Sequence, residues 1–198
     1  MNKLITICLL LLAAWTQGNA QNTLGSIRER YAAIKSDIAE MMKEDGWPRE
    51  YHHLQVMQNL PATGPHLEDV KMYWGERDDD EIYPSHFLRF ATVKYNFAAR
   101  EFYEEYLYDD DGKIAFIYAR TPDADEDLAT LHDLRFYFSN GKLIRATVKS
   151  GPLDATELKD IYSGTTVPKQ YDRIYQSLLL SAKNYMGLFE SIENTTHL

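Results

Sequence analysis

Cysteine is nearly missing from this chain: the 198 residues contain one, Cys8. A single thiol closes no intrachain disulfide and builds no zinc–thiolate site. Basic residues are also short, with Lys and Arg at 21 against Asp and Glu at 30, for a formal charge of −9. That balance argues against nucleic acid or an anionic lipid surface as partner, since both reward basic patches. The ten glycines form no phosphate-binding loop, and no Gly-x-Ser-x-Gly elbow is present. The one long apolar run, Leu4 to Trp15, falls short of the roughly 20 residues of a membrane span, so no stable membrane insertion is expected.

That run has a different reading. Lys3 supplies a positive start, Leu4 to Trp15 an apolar core, and Gly18-Asn19-Ala20 the small residues of a cleavage site. Residues 1–20 therefore read as a signal peptide, cleaved before Gln21, and the protein as exported, periplasmic or extracellular. Removing them from the 198 leaves 178 residues and no cysteine. The loss of Lys3 takes the charge from −9 to −10. Residues 21–198 are long enough to bury the core of a single domain, and no composition break divides them.

Thr23 to Lys43 predicts an amphipathic helix. Leu24, Ile27, Tyr31, Ile34, Ile38 and Met41 recur at spacings of three and four, Thr23 is the cap, and Asp45-Gly46-Trp47-Pro48 is the stop. Strands follow at Tyr51–Leu60, Glu68–Gly75 and His86–Asn96, the first two pairing across a Pro61–Pro65 loop. In His86–Asn96, Leu88 and Phe90 begin one face, while Arg89 and Ala91 lie on the other. Phe97 to Arg100 reads as a short turn or bulge. Two hairpins come next, turning at Asp111-Gly112 and Asn140-Gly141, residue pairs that tolerate the positive φ of tight turns.

A two-residue loop in the first hairpin sets Tyr108 opposite Ala115, Tyr106 opposite Ile117 and Leu107 opposite Phe116; a three-residue loop, which the run of three Asp also allows, would shift every pair. In the second, Phe138 faces Leu143, Phe136 faces Arg145 and Tyr137 faces Ile144. Asp154 to Tyr162 predicts a short helix. Pro168 to Ile192 predicts the longest one, with Tyr171, Ile174, Tyr175, Leu178, Ala182, Tyr185, Phe189 and Ile192 as its apolar stripe.

Sites of chemistry are few. Asp123, Asp125 and Asp127 have the one-three-five spacing of a calcium loop. Leu128 and Leu134 then replace the Gly and Glu that such a loop requires. The six histidines show no i, i+4 pair, and His52 and His53 on a strand face opposite ways. Glu104 and Glu105 likewise point apart, so they form no acid–base pair. Catalytic residues, metal ligands and cofactors are therefore expected to be none.

Tyrosine is the remaining signal. Tyr95, Tyr103, Tyr106, Tyr108, Tyr118 and Tyr137 crowd the strands, and Tyr suits interfaces where a ring is buried and its hydroxyl stays wet. The Phe102–Lys113 run (FYEEYLYDDDGK) and the Arg135–Lys142 run (RFYFSNGK) resemble those of exported Gram-negative bacterial proteins of unknown function. The resemblance covers the meander and implies no activity.

The expected fold is α+β: an antiparallel meander of about six or seven strands, one face covered by the N-terminal and long C-terminal helices. The expected function is a secreted or periplasmic non-catalytic binding domain, using the Tyr-rich sheet face against a protein or glycan partner. The alternative is a small hydrolase or ligand-pocket protein, with its site between the curved sheet and the C-terminal helix.

Overall fold

The structure is a computed structural model, and it describes residues 23–43, 50–80, 82–122 and 130–195. The segment expected to be a signal peptide, the expected Asp45–Pro48 helix stop and the Asp123–Asp127 loop lie outside these residues. The chain runs through helix α1 (Leu24–Met41), then strands β1 (Tyr51–Leu60), β2 (Gly64–Glu76), β3 (His86–Phe97) and β4 (Arg100–Tyr108). It continues with β5 (Ile114–Thr121), β6 (Thr130–Ser139), β7 (Lys142–Pro152) and β8 (Lys159–Gly164). A 3₁₀ turn (Lys169–Tyr171) leads into helix α2 (Asp172–Glu193).

The eight strands form one sheet in chain order, every neighbour antiparallel. The meander is thus as expected and one strand longer. The addition is β8, where the sequence suggested a helix over Asp154 to Tyr162. Residues 153–158 hold no helix, and Tyr162 and Ser163 pair with Val148 and Thr147. An isolated helix of that length is marginal in water, whereas the open edge of β7 offers hydrogen bonds at once.

The two helices cover opposite faces, which corrects the expectation that both lie on one. Ile27 and Ile34 of α1 pack with Tyr73, Phe90, Leu107, Phe116 and Tyr137. Tyr171, together with Leu178, Ala182 and Phe189 of α2, packs with Met72, Ala91, Tyr106, Ile117, Phe136 and Phe138. These strand residues alternate along β2 to β6, so both faces of the central strands are apolar. A sheet of that kind needs a cover on each side.

Bulges adjust the register. Tyr73 pairs with Phe90 but Trp74 with Leu88, which leaves Arg89 as the extra residue. Leu88 therefore joins the α2 side while Phe90 stays on the α1 side, although both were expected on one face. The Asp109 N–H donates to the Lys113 carbonyl, so the first hairpin has a three-residue loop. Gly112 has φ 77 there, and Tyr108 faces Ile114 instead of Ala115. The bulge at Ala115 restores the deeper pairs, Tyr106 with Ile117 and Leu107 with Phe116, as expected.

The second hairpin turns on Asn140 and Gly141, at φ 50 and 73. Phe138 faces Leu143 as expected. Ile144 is then bulged, and Phe136 pairs with Ala146 and Tyr137 with Arg145. Phe97 to Arg100 is a two-residue turn with Ala98 at φ 54. No helix among the described residues is long and apolar enough to cross a membrane.

Candidate binding face

The six tyrosines divide three and three between the faces, because the odd and even positions of each strand point apart. Tyr95, Tyr106 and Tyr108 lie on the α2 side. Tyr108 is buried and donates to the Ala182 carbonyl at 2.7 Å. Tyr106 is also buried, packs on Tyr185 and donates to Glu104 Oε2. Tyr95 stacks on Phe102 and donates to Glu104 Oε1 at 3.0 Å. Burial lifts the Glu104 carboxyl above its ordinary range, against the lowering effect of the Tyr106 and Tyr95 hydroxyls.

Tyr103, Tyr118 and Tyr137 lie on the α1 side, where Glu105 is the centre. It is 2% exposed and accepts from Tyr31 at 2.5 Å, Lys35 at 2.7 Å and Tyr103 at 2.7 Å. Tyr118 donates to Asp133 at 3.0 Å, and Arg120 and Arg135 lie 3.9 and 3.8 Å from the same carboxylate. Tyr103 and Tyr118 meet edge to face with centroids 6.2 Å apart. The Arg135 guanidinium stacks 5.1 Å over Tyr118, and that of Arg28 lies 5.7 Å over Tyr137.

Burial and the neighbouring carboxylate push the Tyr118 hydroxyl up to about 12. Burial raises Tyr31 and Tyr103 as well, reinforced in each case by Glu105. All three phenols therefore stay protonated at neutral pH and act as donors and contact surface, with no nucleophilic phenolate.

α1 crosses this face without covering all of it, and clefts open on it, one of them lined by the helix itself. One of about 310 Å³ lies between α1 and Phe116, Tyr118, Arg135 and Tyr137. A second of about 530 Å³ is bordered by Lys94, Arg100, Tyr103 and Arg120. A third of about 580 Å³ lies toward the outer strands, beside Gln55, Met57, Leu67 and Asp69. Neither Glu104 nor Glu105 lines any of them. The space between sheet and α2 is taken by fully buried side chains, among them Tyr106, Phe136 and Phe138.

The histidines behave as the strand geometry dictates. His52 and His53 point to opposite faces: His52 reaches Glu193 of α2 at 2.6 Å, and His53 reaches Asp69 at 2.7 Å. His86 joins His52 on Glu193 at 2.7 Å, with Trp74 stacked on its ring. Among the described residues no group of three or more His, Cys, Asp or Glu is arranged to hold a metal ion.

The buried carboxylates escaped the sequence reading, although a signal was present. In Tyr103-Glu104-Glu105-Tyr106 each Glu shares a face with the Tyr two positions away, which predicts both Tyr–Glu pairs. The Glu193 clamp had no such signal, since its histidines lie 141 and 107 residues distant. No protein-family model matches the chain, and no match was found among curated proteins or among solved structures.

Proposed function

We propose that the protein is an exported, non-catalytic binding domain, which meets a protein partner with the sheet face beside α1. The observation that carries this reading is the pair Tyr103 and Tyr118. Both are half-buried, they lie edge to face, and their hydroxyls are held by Glu105 and Asp133. Rings fixed in this way lose little conformational freedom on binding, which is what makes Tyr and Arg effective interface anchors. Arg120 and Arg135 flank them, and clefts open on either side.

The chemistry of the carboxylates supports binding over catalysis. Glu105 already accepts three hydrogen bonds, and Glu104 is closed beneath α2. A general base needs a reachable proton and a place for substrate. Neither residue has one.

The test is photo-crosslinking in the producing cell, with benzoyl-phenylalanine at Arg120 or Lys94 on this face. Leu180, exposed on α2, is the control. A discrete adduct from the face and none from Leu180 is expected. The same adducts from all three positions, or none, overturn the reading.

A further inference from the structure

The smallest of the three clefts has an unusual lining for this chain. The protein carries a net charge of −9, yet the residues around this cleft are Ile27, Arg28, Tyr31, Phe116, Tyr118, Arg135 and Tyr137. Two are cationic and none is acidic. Each guanidinium lies over an aromatic ring, Arg28 over Tyr137 and Arg135 over Tyr118. A guanidinium stacked by its flat face keeps its in-plane N–H groups for other partners.

Arg28 is exposed and has no ion pair with any carboxylate among the described residues. Arg135 lies 3.8 Å from Asp133, beyond hydrogen-bond distance, so its fork is not saturated. The volume, about 310 Å³, lies at the lower end of the range of ligand clefts and admits a side chain.

We infer that this cleft receives a carboxylate side chain from an acidic segment of the partner, with Arg28 and Arg135 as its donors. The inference rests on the protein-binding reading above and gives that partner its chemistry. Two stacked guanidiniums match the planar geometry of a carboxylate, which they bind through charge-assisted hydrogen bonds. The chain as a whole carries a net charge of −9, so an acidic segment gains attraction where basic side chains collect, as Arg28 and Arg135 do here.

The experiment uses the purified exported protein and three probes: acetylated polyglutamate, polyglutamine of the same length, and free glutarate. Binding is followed by titration and by the NMR signals of the arginine side chains. Polyglutamate is expected to bind and to shift Arg28 and Arg135, with polyglutamine weaker by about tenfold or more. Arg28→Gln should lose that advantage without a change in melting temperature, and Arg28→Lys should restore part of it.

Equal binding of polyglutamine, or an indifferent Arg28→Gln, overturns the inference. Glutarate that binds as tightly as the peptide overturns the peptide source in favour of a free diacid. Crosslinks from Arg120 that persist while polyglutamate fails to bind overturn the cleft alone. Loss of both overturns the face with it.

Discussion

Tyr31 of α1 donates a 2.5 Å hydrogen bond to Glu105 of β4, across 74 residues of sequence. Lys35, one turn further along the helix, reaches the other oxygen of the same carboxylate. A single buried glutamate thus fixes both the helix and the half-buried ring of Tyr103 beside it. Glu105→Ala leaves three donors without their acceptor and is expected to cost about 1–3 kcal/mol. Lys35 is 41% exposed, so water recovers part of its loss. Denaturant unfolding of Glu105→Ala beside Tyr31→Phe, expected at about 1 kcal/mol, measures both. A neutral Glu105→Ala would mean that α1 is held by its apolar stripe alone.

Glu104 predicts a pH dependence of the opposite sense to an ordinary paired carboxylate. Its folded-state pKa is raised, so the native state holds a proton that the unfolded chain has released. Stability therefore falls as pH rises from the ordinary Glu range through the raised value. Glu104→Gln removes that slope: wild type and variant should be closest in acid, with the variant gaining as the solution approaches neutrality. Thermal unfolding of both proteins across this range checks it. Parallel curves would show that Glu104 contributes nothing to the slope.

The tightest local claim concerns Gly141, whose φ of 73 completes the turn after Asn140 at φ 50. No neighbouring atom lies within 4 Å of a side chain placed there, so the penalty is one of backbone conformation alone. Gly141→Val should cost more than about 1 kcal/mol. An unchanged unfolding midpoint would contradict the turn.

Leu178 sits in the middle of the α2 stripe and is 2% exposed. Leu178→Ala opens a void against the α2-side core and should cost about 2–5 kcal/mol. The comparison variant is Leu180→Ala on the exposed side of the same helix, expected within about 0.5 kcal/mol of wild type. Equal losses at the two positions would mean that α2 does not dock by this stripe.

Local grammar was the legible part of this chain. The apolar periodicity of α1 and α2, the Thr23 cap, the Asn140-Gly141 turn and the meander itself follow from residues near in sequence. What was missed depends on partners that are distant or on slips of one residue. The bulges at Arg89, Ala115 and Ile144 are invisible in an alternating pattern, and each redirects the side chains around it. Opposite placement of the helices was written in pairs such as Phe90-Ala91 and Leu107-Tyr106, apolar on both faces. For the candidate site, tyrosine content pointed to β3 through β6. Strand parity then put Tyr95, Tyr106 and Tyr108 beneath α2, and left Tyr103, Tyr118 and Tyr137 on the face beside α1.

The central claim is that Tyr103 and Tyr118 form a binding surface and are not merely part of the fold. The most direct measurement is crosslinking yield from benzoyl-phenylalanine at Arg120, in wild type and in a Tyr103→Ser, Tyr118→Ser double variant, with the melting temperature of each protein recorded. The account predicts that the double variant remains folded and loses the adduct by about tenfold or more, as expected for the removal of two aromatic anchors. A folded double variant that gives the wild-type yield of adduct would contradict it.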